Sequence, residues 1–354
     1  MGNSTIYDNG TNVGIGTSDP VYKFQVEGGD AKINGVIIGT GPGDEAKDFN
    51  TVFGHDAFLN NISGNSNVAI GREALMSNTT ANSNIAIGFE AMMNSTTGKS
   101  NTACGTLALN NNKTGSYNTA FGLFSLGSNN NGVGNSALGA YAGANYGQIS
   151  YNLSISYGTF VGYEAYSIVD YLTNVTCLGY QSHTTASNQI RIGNTSVTSI
   201  GGYSAWTNFS DGRYKTAIHE DVIGLDFIMK LHPVTYQLDV NRLSASLKED
   251  QNKDTDGNIT SISLQKDIQA RNDKSQIKQT GFIAQEVEKA AKELGYDFSG
   301  VDVPKNENDF YGLRYSEFVV PIVKAVQEQQ AMIKDQQKII DNLIKRMEVL
   351  EKNK

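Results

Sequence analysis

The chain has 354 residues, with 28 Lys and Arg against 36 Asp and Glu, a formal net charge of −8 and no basic block, so it lacks the electrostatic footprint of a nucleic-acid binder. Its two cysteines, Cys104 and Cys177, cannot make a disulfide framework, and with His55, His183, His219 and His232 they form no metal-ligand spacing, so neither a metal nor a cofactor is expected. Residues 1–209 hold only 7 of the 28 cations and 12 of the 36 acids but 30 of the 37 glycines, so two different kinds of protein meet near position 210.

The start, Met1-Gly2-Asn3-Ser4-Thr5-Ile6-Tyr7-Asp8, has neither a basic nor an apolar region, which predicts no standard secretion signal. No run approaches 18 apolar residues, so membrane insertion is not expected. Residues 1–49 read as a small β cap or attachment segment. Gly14-Ile15-Gly16 and Gly39-Thr40-Gly41-Pro42-Gly43 match neither a phosphate loop nor a dinucleotide fingerprint, and are expected to be turns.

Residues 50–195 are repetitive. Asn67-Val68-Ala69-Ile70-Gly71-Arg72-Glu73-Ala74-Leu75 returns as Asn84-Ile85-Ala86-Ile87-Gly88-Phe89-Glu90-Ala91-Met92, and the marker glycine stands at 54, 71, 88, 105, 122 and 139, always 17 residues apart. Looser copies follow at Gly162 and Gly179; the six extra residues between Gly139 and Gly162 are expected in a surface loop. Each copy has room for two short strands and two turns and cannot bury itself, so the copies must stack as rungs of a solenoid. At about 4.8 Å per rung the six regular ones span roughly 24 Å.

The column before the glycine is Phe53, Ile70, Ile87, Cys104, Phe121, Leu138, Val161 and Leu178, which reads as rung interior. Alanine prevails two before and three after the glycine, and a column of small residues on the opposite strand face suits close packing of another chain. On this reading both cysteines are core residues, Cys104 beside Ile87 and Phe121 and Cys177 in the alanine column. The segment resembles the head repeats of trimeric autotransporter adhesins and phage fibres, which implies a parallel β-roll shared by three chains. Asn12-Val13-Gly14-Ile15-Gly16-Thr17 and Lys23-Phe24-Gln25-Val26 resemble lead-in segments of tail-fibre-like proteins.

A linker over 196–209, carrying the sole tryptophan, Trp206, leads to Ser210-Asp211-Gly212-Arg213-Tyr214-Lys215 at the composition boundary. A serine needs a base to become a nucleophile, and a lysine can be one when desolvation lowers its pKa from about 10.4. Five helical steps of about 100° would leave the two side chains apart, so they must meet across a turn made by Asp211-Gly212, or between chains. Pairing of Asp211 with Arg213 could hold that turn.

Residues 206–354 resemble the intramolecular chaperone autoprocessing domain, peptidase family S74, of phage endosialidases, tailspikes and fibres. The resemblance rests on Trp206, Ser210 to Lys215, Pro233-Val234-Thr235-Tyr236, Gly281-Phe282-Ile283-Ala284-Gln285-Glu286-Val287-Glu288, and Arg314-Tyr315-Ser316-Glu317-Phe318 ahead of a long helix. It implies a Ser210/Lys215 dyad, supported by Asp211 and Arg213, that cuts the Phe209–Ser210 bond once, as a single-turnover serine autoprotease. Tyr214 replaces the aliphatic residue usual there, and the polar stretch 241–278 is expected to be a variable insertion or loop.

From Val319 onward apolar residues alternate three and four apart. Val319, Val326, Ile333, Ile340 and Met347 fall at position a, and Ile322, Gln329, Gln336, Leu343 and Leu350 at d. The two glutamine layers fix register, and apolar g positions at Ala325, Met332 and Ile339 widen the stripe beyond a dimer seam.

The expected fold is therefore a mainly β repeat solenoid over 50–195, intertwined or side by side in a trimer. An α+β chaperone core over 210–318 follows, and then a trimeric coiled coil over 319–354. The expected protein is a homotrimeric fibre or spike of a phage or phage-like particle, assembled in the host cytoplasm, that contacts a host surface receptor or glycan. The alternatives are an uncut structural spike, or a bacterial surface adhesin that keeps the domain as a permanent trimerisation module. Paired carboxylates for glycan hydrolysis do not stand out in the repeats.

Overall fold

The computed structural model describes residues 6–41, 49–144, 154–249 and 264–352. The chain forms two compact units, one of residues 1–197 together with 240–272 and one of 198–239 together with 273–354.

The first unit is a β-solenoid. Strands Ile6–Asp8, Val13–Ile15 and Phe24–Val26 make a small sheet of their own. The hairpin Ala31–Ile33 and Val36–Gly39 then opens an 11-stranded sheet by pairing antiparallel with Thr51–His55, so the sheet starts before the first repeat. From Thr51–His55 onward the pairing is parallel, with Val68↔Ile85, Ile85↔Thr102 and Thr102↔Thr119 in a register that equals the sequence period. The series ends on Gln189–Ile192, which pairs with Val175–Leu178. The six extra residues of the long rung fall in a stretch that includes 145–153, which lies outside the described residues.

Most rungs contain one three-residue strand rather than the two expected; among the described residues a second short strand occurs only at Tyr166–Ser167 and His183–Thr184. The remainder turns through left-handed corners, as at Ser83, Glu90 and Met92 in one rung and Ser100, Leu107 and Leu109 in the next. Such conformations cannot continue a strand. The marker glycines are obligatory: Gly88 and Gly105 have φ of 139° and 142°, and a Cβ on either would strike the carbonyl oxygen of the next marker glycine.

The strand faces are reversed relative to the sequence expectation. The alanine column points inward, with Ala69, Ala86, Ala103 and Ala120 fully buried, while Phe53, Ile87, Phe121, Leu138 and Val161 are exposed on the outer sheet face, Leu138 at 57 %. The cause is interior volume. The residue four after the glycine already fills each rung, with Phe58, Leu75, Met92, Leu109 and Leu126 all buried, so only alanine fits across from them. Where the filler shrinks to Gly143, the alanine position grows to Phe160, whose ring would meet a Cβ on Gly143 at 2.9 Å. Cys104 accordingly lies half-buried on the outer face and is not a core residue, while Cys177 is buried in the alanine column. Burial pushes the Cys177 thiol up to about 11.

Buried asparagines tie the rungs together. In the series Asn50, Asn67, Asn84, Asn101, Asn118 and Asn135, each Oδ1 accepts the backbone N–H of the following rung, at 2.9 Å for Asn84 to Asn101 and again for Asn101 to Asn118. Their Nδ2 groups donate to carbonyls 14 residues on, such as Gly115 for Asn101, and 20 residues on in the long rung, from Asn135 to Ile155. A second column, Asn61, Asn78, Ser95, Asn112 and Asn129, is interrupted at Ser95, and there both Ser95 Oγ and Asn78 Oδ1 are buried without a hydrogen-bond partner.

The second unit has a small aromatic core of Phe227, Val287, Ala290, Ala291, Phe298 and Phe318. Phe298 stands 4.9 Å from both Phe227 and Phe318, ring to ring. Strands Val234–Tyr236 and Gln279–Gly281 pair antiparallel. Two of the segments that carry the resemblance, 281–288 and 314–318, meet at Gly281, where a side chain would collide with the Tyr315 hydroxyl, and that hydroxyl accepts the Phe282 N–H. The final helix runs from Val319 to Lys352. Its first turns pack through Pro321 and Ala325, and Gly224 approaches so closely that a Cβ would lie 2.6 Å from the Ala325 nitrogen. Ala325 is thus committed to its own domain and does not widen the heptad stripe. Val319, Ile322, Val326, Ile333, Ile340, Leu343, Met347 and Leu350 are all exposed.

Candidate functional site

The local sequence builds a tight turn at the composition boundary. Asp211 caps a single turn of 3-10 helix over Gly212–Tyr214, its Oδ1 accepting the Arg213 N–H at 2.9 Å. The Arg213 guanidinium closes on the same carboxylate, with Nε at 3.0 Å and Nη2 at 2.6 Å from Oδ2. This fork holds the Asp211 carboxyl below the usual carboxylate range. The Arg213 guanidinium lies 5.8 Å from the centre of the Tyr214 ring, a position the aliphatic residue usual there could not offer.

The turn returns the chain on itself, with Lys215 N–H donating to the Gly212 carbonyl at 3.2 Å. Lys215 Nζ consequently donates to Ser210 Oγ at 2.8 Å. The four expected side chains, Ser210, Asp211, Arg213 and Lys215, therefore stand together within one chain and face solvent. Phe209, Trp206 and Tyr214 are also exposed.

Sequence reasoning missed a second cluster, in the first unit. Glu249 is buried at 2 % exposure; its carboxylate accepts the Thr195 N–H at 2.9 Å and also the Thr195 hydroxyl, and Arg271 Nη1 stands 3.8 Å away. His183 is buried nearby in the same unit, Nδ1 at 2.8 Å from the Leu247 carbonyl and Nε2 at 3.2 Å from that of Glu164. Burial drives its pKa down to about 4, against the upward pull of the two carbonyls. The one signal in the sequence was positional: His183 stands four after Gly179, in the column of Leu75 and Met92.

Among the described residues no group of three or more His, Cys, Asp and Glu is placed to hold a metal ion, and no helix is long and apolar enough to cross a membrane. The class of protein is thus a β-solenoid joined to a C-terminal domain that ends in a long helix. Residues 210–296, about a quarter of the chain, match the family Peptidase_S74, chaperone of endosialidase. No curated protein and no solved structure matches the chain.

Proposed function

We propose that this chain is the protomer of a homotrimeric fibre or spike whose C-terminal domain acts as an intramolecular chaperone and is severed by its own Ser210. The observation that carries this reading is the 2.8 Å contact of Lys215 Nζ with Ser210 Oγ, at the very residue where the chaperone-of-endosialidase match begins. Two uncovered apolar surfaces support the trimer. One is the a and d stripe of the final helix. The other is the outer sheet face, where Phe53, Ile87, Phe121, Leu138 and Val161 repeat rung after rung. A surface with that period is matched best by another copy of itself.

Cutting follows from the adjacency of nucleophile and bond. Lys215, once deprotonated, takes the proton of Ser210 Oγ, and the oxygen attacks the Phe209 carbonyl carbon through a five-membered ring. The C–N bond breaks, the proton passes to the freed Ser210 amine, and Phe209 is left as an ester on Oγ. One water then hydrolyses the ester to a Phe209 carboxylate and the free hydroxyl. Lys215 can act as a base only if water is kept from its amine, and because it is exposed in the single chain this reading gives that task to the neighbouring chains of the trimer.

A chaperone suits this solenoid because its interchain contacts are non-local and slow to form, and trimerisation raises the local concentration of the pieces. The role in host contact, on a virion or on a bacterial surface, rests on the resemblance of the repeats to fibre and adhesin heads. The test is the intact mass of freshly made protein beside Ser210→Ala and Lys215→Ala. Pieces ending at Phe209 and starting at Ser210 in wild type alone support the reading, and a full-length wild-type chain overturns the self-cutting. Retention of the domain is favoured by one observation, that residues 240–272 fold with the solenoid and not with the rest of their own domain.

A further inference from the structure

Between the last rung and Ser210 the sequence keeps a period of its own. Apolar residues stand at Val197, Ile200, Tyr203, Trp206 and Phe209, three apart throughout, and only Thr, Ser, Gly, Ala and Asn lie between them. None of residues 198–209 belongs to a helix or a strand, and none has a positive φ, Gly201 and Gly202 included. A strand would send successive members of this series to opposite faces, and an α-helix would spread the five over about 240° of its circumference. An extended chain with three residues per turn sets all five in one line, and at about 3.1 Å per residue that line is roughly 37 Å long.

Within its own chain the line is bare. Tyr203 and Phe209 are fully exposed, and Trp206 is 87 % exposed. A Cβ on Gly201 would meet no atom within 4 Å, and none of residues 198–209 takes part in a hydrogen bond of its own chain. Large apolar side chains in a row on an unpaired backbone mark a surface that takes a partner. Charge says which partner. No charged residue occurs between Arg191 and Asp211, a run of 19 residues. Around a threefold axis every residue meets its own copies, so any charge there would be set against itself. An uncharged run, with small residues between the apolar ones, lets identical backbones come close, and a foreign partner gives no reason for either feature.

We propose that residues 197–209 of three chains wind together as an extended seam on the threefold axis, with Tyr203, Trp206 and Phe209 forming successive ring layers, and that this seam must close before the cut. The inference rests on the trimer reading and adds to it a contact that lies in neither the final helix nor the outer sheet. Phe209 is the last member of the line and carries the carbonyl that Ser210 attacks, so closing the seam fixes that bond in place. It also brings the aromatic rings of the neighbouring chains beside Ser210 and Lys215, where they keep water from the amine. An open linker leaves both side chains in solvent, as in the single chain.

The experiment reads the fluorescence of Trp206, which is unambiguous because the chain has no other tryptophan. The full chain with Ser210→Ala is compared with the same chain carrying Tyr203→Ser and Ser204→Tyr, an exchange that moves one ring off the period without changing composition, and the native mass of each is taken. In the trimer of the first, acrylamide is expected to quench Trp206 at least about fivefold less than in the urea-unfolded chain, and the exchange should restore most of that quenching while the trimer persists on its helix. In the wild-type background the same exchange should slow the cut at least about tenfold, the effect of one pKa unit at Lys215. A trimer in which Trp206 is quenched as in the unfolded chain overturns the seam and leaves the trimer standing. Equal protection in both proteins also overturns it, since an unspecific apolar contact does not read the period. A monomer overturns the trimer reading and the seam with it. A wild-type chain that stays whole overturns the link to cutting, and the quenching still decides the seam.

Discussion

The solenoid and the C-terminal unit solve opposite problems with opposite chemistry. The solenoid buries little side-chain volume per rung, mostly alanine and one filler, and gains its order from asparagines that pass hydrogen bonds from rung to rung. The C-terminal unit has a compact aromatic core, and beyond it a 34-residue helix, about 51 Å long, whose apolar seam is bare. One region pairs most of its buried polar groups internally and is stable only as an array; the other leaves an apolar seam uncovered, the surface that would recruit copies in the proposed trimer. On the proposed reading, the contrast puts the start of assembly at the helix and leaves persistence to the stacked rungs.

The comparison breaks most completely if the helix loses its seam. Ile340→Asp with Leu343→Asp places charges in two adjacent layers, and the chain is expected to stay monomeric and to cut at least about 100-fold more slowly, since Lys215 then remains in water. Intact mass over time beside native mass checks both. On the solenoid side, Gly105→Val puts a β-branched residue at a φ of 142° and against the Gly122 carbonyl, which should cost more than about 3 kcal/mol and prevent stacking, read by thermal unfolding. Asn101→Ala orphans the Asn118 N–H that it accepts at 2.9 Å, and about 2 kcal/mol of stability should disappear.

Acid acts on the end of the array. His183 has its folded pKa near 4, below an unfolded value of about 6.5, so the native state binds fewer protons across that window and stability falls as pH drops through it. Between pH 7 and 5 the last rungs should lose about 1–2 kcal/mol, measured by denaturant unfolding of wild type beside His183→Gln, in which the dependence should shrink. The ionisable groups around this position are Glu164, Tyr166, Cys177, Glu249 and Arg271. The smallest expected change is a gain: Ser95→Asn would complete the interrupted ladder, give Asn78 Oδ1 a donor, and raise stability by about 1 kcal/mol.

The rung period was legible because a glycine that no other residue can replace recurs at fixed spacing, and the turn at Ser210 because Asp and Gly leave the chain little choice there. Strand direction inside the rung was not legible. Ile87 and Phe121 carry the apolar signal of a core, and the sequence does not reveal that Met92 and Leu126 already occupy the interior from the facing wall. Ala325 likewise satisfies a heptad position while packing against Gly224. The cluster of Glu249, Arg271 and Thr195 was invisible for a different reason: Glu249 and Arg271 stand 22 residues apart in a polar stretch with no period, Thr195 lies 54 residues before Glu249 at the end of the repeats, and only the fold joins them.

Two exposed apolar faces on one chain, the helix seam and the outer sheet, carry the claim that three copies assemble. The native mass of freshly made protein tests it directly. Three copies of the chain, or of its piece ending at Phe209, are the predicted result, and a monomer at micromolar concentration would contradict the account.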